Sequence, residues 1–266
     1  PALLPDPQGA WALAAEPHIS RADYDSAIER VLGYIRAGDI YQANLTFQAS
    51  IRFGGHPVAL YARLRERQQA GYGGIVWTGQ HWLLSFSPEL FFSQRSSSIM
   101  ARPMKGTALR DKDPTRDAAN ATTLADDPKQ RAENLMIVDL IRNDLSRVAI
   151  PGSVTVPELF HVEHYPTVHQ MVSSVHASLT PGKTAVDIIA QAFPCGSITG
   201  APKIRAMKII AEVEPEPRGA YTGSIGYIAG GEEAAFNVAI RTLVIAADGN
   251  QATPNQALLG LGSGIV

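Results

Sequence analysis

The run DIYQANLTFQASI, residues 39–51, alternates without a break. In an extended chain Ile40, Gln42, Asn44 and Thr46 project to one side, and Tyr41, Ala43, Leu45 and Phe47 to the other. A period of two fits a strand and no helix. Its polar side is unusual for a core strand and points to a wet pocket. The same rhythm returns in YPTVHQMVSSVHASL (165–179), AYTGSIGYIAG (220–230), AAFNVAIRTLVIA (234–246) and QALLGLGSGIV (256–266). GGIVW, WLLSF and LFFS add short strands between turn residues. Strands therefore outnumber helices, and the alternation favours antiparallel pairing. The expected class is α+β: antiparallel β-sheets as a sandwich core, helices outside, in one domain spanning 20–266.

The helices are marked by caps and a longer period. Ser20 caps the first, Asp23 completes a capping-box-like pattern, Ile28, Val31, Leu32 and Ile35 recur at helical spacing, and Gly38 ends it. PVALYARLRERQQ is a second helix. Asp127-Pro128 opens a third with a cap and a proline at its first position. There Met136, Ile137, Leu140 and Ile141 form the apolar stripe, with Glu133 one turn earlier on the same side. TAVDIIAQAF is helical, and GSITGAPKIRAMKIIAEV reads as a turn feeding a helix. Residues 1–19 are rich in Pro and Ala and read as a linker or arm.

Bulk properties narrow the function. The chain carries 23 Lys and Arg against 25 Asp and Glu, a net charge of −2, so no basic excess points to nucleic acid. No apolar run approaches the roughly 18 residues that cross a bilayer, so no membrane role is expected. A single cysteine, Cys195, fits a reducing cytoplasm. The first residue is not Met and the chain stops at GLGSGIV. Both ends read as trimmed.

Several stretches carry candidate chemistry. FPCGSITGAPKIRAM offers backbone N–H groups, two hydroxyls and a helix N-terminus before Lys203 and Arg205. Such an end receives carboxylates or phosphates, and the same turn is also an ordinary helix start. The spacing is not that of a phosphate loop. The glycines of GLGSGIV admit a ligand close to the backbone or mark a bulge. Arg241 lies inside the apolar run NVAIRTLVI and needs an anionic partner unless it points outward. His161, His164, His169 and His176 do not have the spacing of a metal cage.

In combination these stretches resemble one family. GDIYQANLT, SPEL, RPMKGT, AENLMIVDLIRNDLSRV, FPCGSITGAPKIRAM, GSIGY, IRT and GSGIV occur in the order found in the chorismate-utilising enzymes. Within them the chain resembles the component I type of aminodeoxychorismate synthase, from about Tyr24 to Val266. The resemblance implies a transferase that turns chorismate and ammonia into 4-amino-4-deoxychorismate, for para-aminobenzoate and folate synthesis. It implies Mg2+ as cofactor, and ammonia drawn from glutamine by an amidotransferase subunit or fused domain. Two alternatives stay open: anthranilate synthase component I, and a chorismate-binding fragment without turnover.

Residue by residue, the resemblance implies Glu133 as a Mg2+ carboxylate, with companion glutamates expected beyond Val266. Glu89 matches the general acid that protonates the leaving C4 hydroxyl. Lys105 matches the nucleophile that attacks C2; relatives that form anthranilate carry Ala there. Gln42 stands where water-using relatives have a lysine base, and an amide cannot deprotonate water. Gly106, Thr107 and Ser197 are implied near the ring, and Tyr221, Arg241, Gly262 and Gly264 around the enolpyruvyl carboxylate. One departure stands out: Gln170 occupies the usual histidine position, and His169 lies one residue earlier. On a strand that is the opposite face, which leaves Gln170 only a hydrogen-bonding role.

Overall fold

The computed structural model of the protein describes residues 5–230, 232–247 and 255–266. In chain order it forms β1 (Trp11–Ala12), β2 (Glu16–Pro17), α1 (Arg21–Arg36), β3 (Gln42–Gly54), α2 (Pro57–Gln68), β4 (Gly74–Trp77) and β5 (His81–Ser85). Next come β6 (Leu90–Arg95), β7 (Ser98–Arg102), β8 (Met104–Leu109), α3 (Pro114–Asp126), α4 (Pro128–Ser146), β9 (Thr155–His164) and β10 (Val168–Ser178). The chain closes with α5 (Ala185–Ala192), β11 (Gly200–Ala201), α6 (Lys203–Val213), β12 (Gly226–Ala229), β13 (Glu233–Asn237), β14 (Thr242–Ala246) and β15 (Asn255–Ile265). The α+β class with antiparallel sheets is as the alternation required.

The chain divides into two compact units. One consists of Pro1–Pro88, Arg205–Ile225 and Val238–Val266; the other of Glu89–Ile204 and Gly226–Asn237. In the first, the strands run β1-β3-β15-β14-β5-β4, and β2 also pairs with β3. β15 lies antiparallel along β3 from Asn255↔Phe53 to Ile265↔Ala43. Residues 11–17 are not an unattached arm: Trp11–Ala12 and Glu16–Pro17 pair with the far half of β3. Residues 1–4 of the expected arm lie outside the described residues. Both faces of β3 are covered, and Ala43 and Leu45 pack with Val31 of α1 and Ala206 and Ile209 of α6. α1 begins as its sequence dictates, with Ser20 accepting from the Asp23 N–H at 3.1 Å.

The second unit holds a seven-stranded sheet, β12-β13-β6-β7-β10-β8, with β9 on the free side of β10. α4 packs on β8 and β10 and buries Ile137, Val138, Ile141 and Leu145. The sequence reading did not include β7, β8, α3, β9 and β11 of this unit. α3 is capped by Asp113, which accepts from Thr115 N–H, and has Pro114 in its first turn. β9 carries Pro157 and is largely exposed, as an edge strand can be. Among the described residues no helix is long and apolar enough to cross a membrane.

Candidate active site

The candidate residues fall into two groups, one in each unit. In the second unit the hub is Glu89, which directly precedes β6 and is only 4% exposed. Its carboxylate accepts hydrogen bonds from the Ser197 hydroxyl and the Met104 N–H, and Lys105 is its charged neighbour. Burial pushes its pKa above the ordinary carboxylate range. The Ser197 bond, the Lys105 charge and the Met104 bond oppose that rise without cancelling it. The direction of this shift is the one a general acid requires. Lys105 itself is half-buried on β8.

Lys105 stands at an interruption of the β8–β10 ladder. Gln170 pairs with Thr107 and Val172 with Met104, so Lys105 and Gly106 together face Met171 alone. This is a β-bulge, a feature that re-aims a side chain. Gly106 makes it possible: its φ is +96°, and a Cβ there would meet Gln130 and Met171 Cβ atoms at 3.2 Å. The opened backbone finds a partner in Asn134, whose Nδ2 donates to Lys105 O at 3.3 Å and to Met171 O at 3.5 Å. Asn134 is fully buried on α4, and sequence reasoning did not single it out. The available signal was an amide on the face that also carries Ile137, Val138 and Ile141.

Gln170 joins Gly106 and Thr107: its Nε2 donates to Gly106 O at 2.7 Å, and Thr107 Oγ1 donates to its Oε1 at 3.0 Å. His169 turns the other way, as the one-residue offset demands. It is buried, with Nε2 2.9 Å from Asp117 Oδ1 and Nδ1 2.6 Å from His164 Nδ1. Cys195 Sγ lies 3.3 Å from Ser197 Oγ, and burial pushes its thiol up to about 12, so it is inert. The two basic residues after the Gly/Ser turn are both committed to carboxylates of the protein. Lys203 pairs with Asp144 and donates to Ala192 O, and Arg205 pairs with Asp39.

Glu133 is half-buried, with Lys129 Nζ 3.9 Å away. Among the described residues no three His, Cys, Asp or Glu side chains gather as a metal cage would. Glu133 on its own offers one carboxylate, an oxygen ligand of the kind hard cations take.

The first unit contributes Gln42, fully buried, with neither amide atom hydrogen-bonded among the described residues. Leaving such an amide unpaired costs about 1–3 kcal/mol. Gly262 and Gly264 oppose Thr46 and Asn44 on β3. A Cβ on Gly262 would come within 2.7 Å of Thr46 Cγ2, so glycine is required there. At Thr46 and Asn44 an ion pair meets backbone groups of β3. Glu214 accepts from Thr46 N–H at 2.8 Å, and Arg218 donates to Asn44 O at 2.6 Å. Tyr221 lies against Gly260, where a Cβ would meet its Cγ at 2.0 Å. Burial chiefly pushes its phenol up to about 12.

Arg241 departs from expectation. The run NVAIRTLVI is not one strand: β13 ends at Asn237, β14 begins at Thr242, and Arg241 between them has φ +48°. Its side chain is exposed and donates to Gln68 Oε1 at 3.4 Å. The turn exists because Ala239 and Arg241 offer their carbonyls to Thr222 and Phe86 N–H groups.

The whole chain is similar to known proteins of one kind. A family described as chorismate binding enzyme matches residues 1–266. Aminodeoxychorismate synthase component 1 of Escherichia coli (strain K12) is 42% identical over 262 residues, 98% of this chain and 56% of that protein. Anthranilate synthase component 1 of Thermus thermophilus is 44% identical over 227 residues, 85% of this chain and 49% of that one. A crystal structure of anthranilate synthase component I from Streptococcus pneumoniae TIGR4 superposes with a TM-score of 0.85 at 34% identity, covering 96% of this chain and 55% of that one. The chain spans about half the length of the curated relatives it matches. Family match, relatives and shared fold agree: the chain belongs to the chorismate binding enzymes.

Proposed function

We propose that the chain is the catalytic portion of an aminodeoxychorismate synthase component I, converting chorismate and ammonia to 4-amino-4-deoxychorismate in the cytoplasm. The observation that carries the reading is the bulged Lys105 beside the buried, protonation-prone Glu89. The Lys105 amine attacks C2 of chorismate, the ring electrons shift, and the C4 hydroxyl leaves as water with the proton of Glu89. Ammonia then attacks C4, the electrons move back, Lys105 is expelled from C2, and the proton shed by the new C4 ammonium returns to Glu89. Gln42 holds the ligand by hydrogen bonds and activates no water. Gly106, Thr107, Gln170 and Ser197 line the ring. We assign Tyr221, Gly262, Gly264 and Arg241 of the first unit to the enolpyruvyl carboxylate. Glu133 would hold Mg2+, which when bound neutralises the ring carboxylate. Ammonia comes from a glutamine amidotransferase, the partner that the word "component" in the relatives' names supports.

Anthranilate formation is the second reading, favoured by the identity to anthranilate synthase component 1. One experiment separates them. The full-length protein is incubated with chorismate, Mg2+ and ammonium, and the product identified by mass and chromatography. Aminodeoxychorismate from the parent, lost in Lys105→Ala, is the expected result. Anthranilate from the parent, or an unchanged rate in Lys105→Ala, defeats the proposal.

A further inference from the structure

Strand β10 is interrupted on both of its sides within three residues. Toward β8 the interruption is the bulge of Lys105 and Gly106 against Met171. Toward β9, Val172 pairs with His161 and Ser174 with Glu158, so Leu159 and Phe160 face Ser173 alone. Phe160 has φ +61°, which a bulky L residue adopts only when its surroundings hold it there. Each interruption frees backbone groups that a regular ladder would pair, and buried backbone groups need partners.

Two side chains meet this need at both places. Ser173 Oγ accepts from the Phe160 N–H at 3.1 Å and donates to Asn134 Oδ1 at 2.6 Å. Asn134 Nδ2 carries the path on to the carbonyls of Lys105 and Met171. Asn134 and Ser173 are both 0% exposed, so no water substitutes for either. The chemistry is specific to an amide. Both carbonyls need donors and the serine hydroxyl needs an acceptor, and of similar-sized side chains only Asn offers two N–H groups and one oxygen at once. An aspartate would set a carboxylate against two carbonyl oxygens.

We propose that the Asn134–Ser173 pair is the positioning device for Lys105: it fixes the bulge backbone, and so the direction of the amine, from the two sides of β10. Its catalytic consequence rests on the aminodeoxychorismate-forming reading; the placement of Lys105 does not. A misplacement of about 1 Å costs on the order of 100-fold in rate while leaving binding largely intact. Asn134 touches no reacting atom and acts only through Lys105.

The test uses the full-length protein with chorismate, Mg2+ and ammonium, and the variants Asn134→Asp, Ser173→Ala and Lys105→Ala. Separately, acetic anhydride labelling followed by peptide mapping reads the reactivity of Lys105 relative to Lys129. Asn134→Asp is expected to lose on the order of 100-fold in kcat, and Ser173→Ala a smaller factor, with KM for chorismate held within about twofold. In both, the Lys105-to-Lys129 labelling ratio shifts severalfold. If Asn134→Asp fails to fold, Ser173→Ala, which removes one hydroxyl, decides. Parental kcat with a parental labelling ratio in Ser173→Ala overturns the proposal, as does a loss confined to KM. If Lys105→Ala keeps forming aminodeoxychorismate, the functional reading fails instead, and the labelling ratio alone decides the positioning.

Discussion

Asp117 holds His169 on the face of β10 opposite Gln170, with His169 Nε2 2.9 Å from its Oδ1. Arg110 forks the same carboxylate through Nε and Nη2, and the Asp111 N–H adds a further bond. These contacts, Arg110 first, hold the Asp117 carboxyl well below the usual carboxylate range. A depressed value stabilises the fold above the unfolded-chain pKa, about 3.9 for Asp. That contribution disappears as the pH falls through and below this value toward the folded one. Asp117→Asn should therefore melt earlier than the parent near neutral pH, with the gap shrinking below about pH 4. Thermal unfolding across that range checks it; a gap that stays constant or widens in acid would refute the assignment.

Much of this arrangement was legible in one dimension. The alternation in DIYQANLTFQASI and the Ser20 cap are local rules, and β3 and α1 follow them. The one-residue offset of His169 from Gln170 is enough by itself to set the two on opposite faces of a strand. α3 was equally legible: Asp113-Pro114 repeats the Asp127-Pro128 signal. β9 was obscured because Pro157 and an exposed, charged surface erase the alternation that a buried strand displays. Arg241 misled because the apolar run around it continues through a turn fixed by distant partners, Thr222 and Phe86. The Lys105 bulge was out of reach, since it exists only in the register between β8 and β10, roughly 60 residues apart in the chain.

Gly106 is the residue on which that bulge depends. Gly106→Ala places a side chain at φ +96° and within 3.2 Å of Gln130 and Met171 Cβ atoms. A strained conformation of this kind costs about 1–3 kcal/mol. The variant should show that loss in denaturant unfolding, together with a fall in kcat. A fully stable variant would mean that the bulge relaxes into a regular ladder.

Arg218 and Glu214 meet backbone groups of β3 as an ion pair, with side chains 16% and 5% exposed. Removing one partner leaves the other charged and buried, which typically costs about 3–5 kcal/mol. Arg218→Ala should approach that loss, because Asn44 O also loses its donor. The double variant Arg218→Ala/Glu214→Ala should lose less than the sum of its single variants, by roughly 0.5–3 kcal/mol. Strict additivity in denaturant unfolding would show that the pair does not act as a unit.

Glu89 gives the most direct link between burial and rate. Its acidity is weakened by burial and partly restored by the Ser197 hydroxyl, the Lys105 charge and the Met104 N–H. A carboxyl with a raised folded pKa stabilises the protein below its unfolded pKa, and the contribution is lost as the pH rises through the folded one. Glu89→Gln keeps the shape without the ionisation, so it should be neutral or stabilising near neutral pH. The same change removes the transferable proton. If Glu89 protonates the departing hydroxyl, kcat should fall about 10²–10⁴-fold, the usual worth of general acid catalysis. Ser197→Ala provides a sign-specific check. It removes a bond that favours the charged form, so the Glu89 carboxyl should weaken as an acid and the alkaline limb of the kcat profile should move to higher pH. The measurement is product formation from chorismate and ammonium across the pH range, with thermal unfolding in parallel. An alkaline limb that stays in place or moves to lower pH in Ser197→Ala would show that another group supplies the proton.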